Sequence, residues 1–227
     1  SDSVKHEYRV DGGAWTNYSS AVIVTKNGVV EARAMDQAGN TSTIGTYSIS
    51  NIDKTAPVNP TFVASTTAPT NTDVAMTINF PSDATVKQYK VGSTGTWTTY
   101  TAPVVVSANT TLYARAYDAV GNVSSEVTFD ITNIDKVAPT SPTLVADKTN
   151  PTNGNVNVTI AFPTDSTKKE YRVNGGNWTV YAIPVTLITN GTVEARATDE
   201  AGNISTIGSL SISNIDKTPP ANATLQA

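Results

Sequence analysis

Apolar residues in this chain fall on every second position in short runs, and turn-forming residues interrupt each run before it lengthens. In VAMTINF (74–80), Val74, Met76, Ile78 and Phe80 share one side, and VNVTIAF (156–162) places Val156, Val158, Ile160 and Phe162 in the same way. In TVEARA (192–197), Val193, Ala195 and Ala197 alternate with outward Glu194 and Arg196. A period of two marks a strand buried on one face. Gly-Gly pairs close behind Val10 and Val173, Asn-Gly at Asn27 and Asn190, and Gly-Asn after each Asp-x-x supply the turns. The pattern predicts short antiparallel strands throughout and no helix beyond a single turn.

The strands belong to a repeat. NIDKTAP from Asn51 recurs as NIDKVAP from Asn133 and NIDKTPP from Asn214, so that Asp53, Asp135 and Asp216 stand 82 and 81 residues apart. The stretch from Lys169 to Asn203 matches that from His6 to Asn40 almost word for word, and a more diverged middle copy ends at Asn122. Trp15, Trp97 and Trp178 fall in phase. Cutting at the prolines gives an incomplete first repeat (1–55) that lacks its first two strands, complete repeats at 56–136 and 137–217, and the first strand of a truncated fourth at 218–227. About seven alternating strands per complete repeat read as an all-β protein of tandem immunoglobulin-like antiparallel β-sandwiches arranged head to tail.

Composition narrows the function. Of 227 residues 38% are hydrophobic and 15% charged, and the formal net charge is −4. That balance suits short strands and turns rather than a charged tail, and it offers no basic footprint for nucleic acid. The chain has no cysteine, which excludes disulfides and thiolate metal sites and is compatible with export. No apolar run approaches the roughly 20 residues of a membrane helix. The single histidine (His6) and the absence of a Gly-x-Ser-x-Gly elbow leave nothing to assemble a nucleophile and its base. Every strongly placed Asp recurs with the repeat, and a row of identical active sites is a poor design for an enzyme. The expectation is therefore no catalysis.

Two recurrent sets remain. The pairs Trp15/Tyr18, Trp97/Tyr100 and Trp178/Tyr181 read either as packing on the flank of the sandwich or as a platform on which sugar rings stack. The aspartates read in two ways as well. Asp-x-x-Gly-Asn (Asp36, Asp118, Asp199) makes the last hairpin of each repeat, and Asn-Ile-Asp ends its last strand. A strand of eight residues spans about 25 Å, so Asp118 and Asp135 lie at opposite ends of one repeat. Head-to-tail stacking would instead gather Asp53, Asp83 and Asp118 at one junction and Asp135, Asp165 and Asp199 at the next. Such a set suits Ca²⁺, which takes six to eight oxygens. The plainer reading is that each Asp caps its own turn.

The motifs ARAxDxAGNxS and NIDKxAP resemble those of bacterial Ig-like repeats in large secreted surface proteins: adhesins, S-layer-associated proteins and spacer modules of multimodular glycosidases. The resemblance spans the whole chain. It implies an extracellular structural role, with neighbouring repeats as the first partners and host or cell-wall glycans or proteins as further ones. It also implies calcium between repeats, held by Asp53 with Asp118 and by Asp135 with Asp199. KTPP at the last boundary departs from the pattern. On this reading the Asp-x-x-Ala-Pro is a joint, the acidic group fixing and the proline stiffening the angle between modules. The rival expectation is a carbohydrate-binding array.

Overall fold

The computed structural model describes residues 2–223, and among them every regular element is a β-strand. Contacts divide the chain into two compact units: Ser1–Asn59 with Pro81–Val86 and Ala116–Ser125, and Pro60–Phe80 with Lys87–Arg115 and Glu126–Ala227.

The first unit is built on one four-stranded antiparallel sheet, β2-β1-β3-β4, from β1 (Ser3–Val10), β2 (Thr16–Asn17), β3 (Gly28–Asp36) and β4 (Gly45–Ile49). Asp11 and Gly12 both have positive φ (51° and 71°) and make the tight turn between β1 and β2. Such a turn matches the twist of the strands it joins and favours Asn-Gly or Asp-Gly. Asn174 and Gly175 do the same in the third repeat, at 51° and 70°. Among the described residues, this unit has no second sheet. Val22 and Val24 align with Val104 and Val106 of the next repeat, yet residues 21–25 form no strand.

The second repeat has the seven strands expected. β5 (Thr61–Ala64), β6 (Val74–Asn79) and β9 (Val104–Val106) form one sheet in the order β5-β6-β9. β7 (Val86–Val91), β8 (Thr98–Thr99), β10 (Thr110–Tyr117) and β11 (Val127–Ile131) form the other, in the order β11-β10-β7-β8. The third repeat copies the plan. β12 (Thr143–Ala146), β13 (Val156–Ala161) and β16 (Val185–Leu187) lie in one sheet, and β14 (Lys168–Val173), β15 (Thr179–Val180), β17 (Gly191–Thr198) and β18 (Gly208–Ile212) in the other.

The alternation read from sequence is the burial seen in space. Val74 and Met76 of β6 are fully buried against Leu112 and Ala114 of β10 in one core, and Val156 and Val158 against Val193 and Ala195 in the other. Full burial of such aliphatic side chains contributes about 1.5–3 kcal/mol each. Tyr100 and Tyr181 plug their cores, ring against Phe80 or Phe162 at 5.3 Å. Each hydroxyl accepts an N–H from the facing strand, Ile78 or Ile160, at 3.1 Å. A buried hydroxyl without a partner would be destabilising. Residues 218–223 carry no strand, and the remainder of the expected fourth-repeat strand lies outside the described residues.

Candidate functional site: the joints between repeats

Each Asp-x-x-Gly-Asn hairpin is closed from inside. Asp118 Oδ1 accepts the backbone N–H groups of Val120, Gly121 and Asn122 at 2.8–3.0 Å, and its Oδ2 accepts the Asn122 amide at 2.7 Å. Gly121 holds φ 96°, which a side chain would strain. Burial pushes the Asp118 carboxyl up, but these donated bonds outweigh it and hold it below the usual aspartate range. Asp199 is buried in the same way, and Asn203 holds it down through its amide and its backbone N–H.

The same asparagines reach the preceding linker. Within the first unit the Asn122 amide also donates to the carbonyls of Asp53 and Thr55, both at 3.2 Å. Within the second unit the Asn203 amide donates to the Asp135 carbonyl at 2.9 Å, and Asn71 N–H donates to Ala201 carbonyl at 3.1 Å. Linker prolines Pro57 and Pro139 are buried. The joint is thus read by an asparagine that braces its own turn and grips the linker with the same amide.

The linker aspartates cap rather than gather. Asp53 Oδ1 accepts Thr55 N–H and Asp135 Oδ1 accepts Val137 N–H, each at 2.9 Å, and Asp216 does the same for Thr218 at 2.8 Å. Asp83 and Asp165 are exposed in turns. Asp135, Asp165, Asp199 and Glu200 do line one recess of about 380 Å³ with Pro69, Thr132 and Asn133. Among the described residues, however, no three acidic or histidine side chains converge closely enough to cage a metal ion. Asp135, Asp165 and Asp199 thus share a recess, and Asp118 meets the Asp53 backbone through the Asn122 amide, with no set of three such side chains closing on one point among the described residues. Asp53, Asp118, Asp135 and Asp199 each accept turn N–H groups on Oδ1.

The rest of the NIDK motif has partners that the sequence reading missed. The Asn133 amide donates to the carbonyls of Thr66 and Ala68, and the Asn214 amide to those of Lys148 and Asn150. Ile134 and Ile215 are each 7% exposed and close the cores from one end. Lys136 Nζ pairs with Asp73 at 2.6 Å, and Lys217 Nζ donates to Asn155 Oδ1 at 3.0 Å. The sequence signal for these contacts is that Asn and Lys recur in phase beside the Asp in all three copies of the motif.

The tryptophans lie half-buried on the flank of the sheets. Arg9 and Arg33 sit 4.6 and 4.2 Å from the Trp15 ring centre, Lys90 and Arg115 at 5.0 and 4.0 Å from Trp97, and Arg172 and Arg196 at 4.6 and 4.3 Å from Trp178. Each indole packs on cations from two neighbouring strands, a contact favoured by the ring quadrupole. Arg172 in turn pairs with Glu194 at 2.7 Å and Arg196 with Glu170 at 2.9 Å.

Fold and joint together define a class: tandem immunoglobulin-like β-sandwich repeats, closed by a repeated plug and bonded through a repeated hairpin. No family model and no curated protein sequence matches the chain. Among solved structures it is similar to the fibronectin(III)-like modules of Clostridium thermocellum CbhA, with 14% identity, a TM-score of 0.34, and 73% of this chain and 100% of that one covered. It is also similar to the central fibronectin-III array of RIM-binding protein, with 16% identity, a TM-score of 0.28, and 93% and 85% covered.

Proposed function

We propose that this chain is a structural spacer, part of the stalk of an extracellular bacterial surface protein of adhesin type, in which repeats set distance and angle and perform no chemistry. The observation that carries the proposal is the pair of bonds at the second joint, Asn203 amide to Asp135 carbonyl and Asn71 N–H to Ala201 carbonyl. A spacer needs its modules held at a fixed angle, and a side chain that reads the linker serves that need. The bacterial, surface and adhesin parts of the reading rest on the motif resemblance. Asn203→Ala removes one joint bond, worth about 0.5–1.5 kcal/mol. Distances between spin labels on the second and third repeats should broaden in this variant while circular dichroism stays unchanged. An unchanged distribution would remove the joint from the proposal.

A second reading adds calcium, favoured by the four carboxylates that line one recess at that joint. Carboxylate oxygens are the chemistry that Ca²⁺ takes. Asp135, Asp165 and Asp199 would turn toward an ion there, as Asp53, Asp83 and Asp118 would at the first joint. Label distances in the unsubstituted chain, with added calcium and then with chelator, decide between a joint closed by calcium and one closed by hydrogen bonds alone. The carbohydrate-binding alternative puts sugar on the tryptophans, where cations already pack. Retention of any glycan-array signal after Trp15, Trp97 and Trp178 are all replaced by Ala would end it.

A further inference from the structure

The Asn-Ile-Asp triplet is the last part of each complete repeat to be anchored before the chain leaves it. In the second repeat Thr70 N–H donates to the Asn133 carbonyl and Asp135 N–H to the Thr70 carbonyl, both at 2.9 Å, which makes a parallel bridge between the exit segment and the loop joining β5 to β6. The Asn133 amide adds its two bonds to the carbonyls of that loop, at 2.8 and 3.3 Å. The buried Ile134 donates its N–H to Asn109 Oδ1 at 2.9 Å. Every one of these bonds has a counterpart in the third repeat, around Thr152, Asn214, Ile215 and Asn190.

We infer that this triplet is a tensile clamp, the element that carries load when the array is pulled from its ends. A pull on the outgoing linker draws residues 133–135 along their own direction. Thr70 is tied back through residues 65–69 to β5, whose far end is the incoming linker. Because the bridge is parallel, the two segments are dragged lengthwise past each other. Both backbone bonds and both amide bonds are then strained at once, and bonds that share a load give way together rather than one by one. The buried Ile134 must also leave the core before β11 feels the pull. This inference supplies the spacer reading with a load path, yet it is tested on the chain alone, so its failure leaves that reading standing.

The test is single-molecule force spectroscopy on the whole chain. Forced unfolding is governed by the unfolding rate. Held by its two ends, the chain should show two strong events, one per complete repeat. Asn133→Ala should speed one of them about tenfold at a given force, the size expected for losing two side-chain bonds that hold the barrier, and leave the other unchanged. A second geometry bypasses the triplet: handles at Thr61→Cys and Ser107→Cys load the same sandwich without its exit segment. There the unsubstituted chain should unfold several-fold faster than in the end-to-end pull, a comparison that holds even if Asn133→Ala fails to fold. Equal rates in the two geometries, or equal acceleration by Asn133→Ala in both, would reduce the triplet to a general stabiliser and overturn the clamp.

Discussion

At Asp199 a single carboxylate accepts the backbone N–H of Asn203 and its side-chain amide, each at 2.8 Å, while that amide also reaches the Asp135 carbonyl. The joint therefore depends on the ionisation of a turn residue. Burial pushes the Asp199 carboxyl up, but the Asn203 bonds outweigh it, so the folded group titrates below an ordinary aspartate. A depressed folded value means that the turn is fully braced above the unfolded aspartate range, near pH 3.9, and loosens as pH falls through the lower folded value. Side-chain amide signals of Asn122 and Asn203, followed from neutral pH to about pH 2, should stay protected past the ordinary aspartate range. Loss of protection already above it would contradict the assignment. The spacing Asp-x-x-Gly-Asn made the turn legible from sequence. It could not say whether the carboxylate looks inward to N–H donors or outward to an ion, because both roles use the same oxygens. Only the donor positions decide, and they are set by the backbone of the hairpin.

At the scale of the element, alternation located the strands well because each periodic run carries its own evidence of a buried face. Val193, Ala195 and Ala197 are fully buried, as their period of two demands. The segment 21–25 shows where that evidence runs out. Its apolar residues match β9, but β9 is a strand through its pairing with β6, Val106 opposite Val74 and Val104 opposite Met76. A strand is a property of a pair, and the first sheet offers these residues no partner. The uncovered face forms a hollow of about 540 Å³ lined by Tyr8, Tyr18, Val22, Val30 and Ala32 among others. Tyr18 is 52% exposed, whereas its counterparts Tyr100 and Tyr181 pack into cores. A peptide with the sequence of residues 60–80 should therefore bind this face and slow hydrogen exchange at residues 22–24. The same peptide with Asp in place of Met76 and Ile78 should not. Equal protection by both would mean that the hollow takes apolar chain without strand register.

Across the whole molecule, repetition of sequence becomes repetition of mechanism, with two cores built at matching positions that share no residue. Each sandwich buries its own apolar faces and closes its own end with Ile134 or Ile215. Two hydrogen bonds across the joint, Asn203 amide to Asp135 carbonyl and Asn71 N–H to Ala201 carbonyl, contribute about 1 kcal/mol each, which is small against the stability of a domain. Repeats coupled so weakly behave as nearly independent units joined by a nearest-neighbour term. Met76 is fully buried in the second-repeat core, and Met76→Ala should cost about 2–5 kcal/mol. Calorimetry should then show one transition lowered by roughly ten degrees or more, with a second that keeps its place. Val158→Ala in the third repeat should move the other transition instead, since Val158 belongs to the other core. If either substitution draws both transitions down together, the joint is a cooperative interface rather than a hinge stop. The hydrogen bonds at Asn203 and Asn71 would then be the visible part of a stronger coupling.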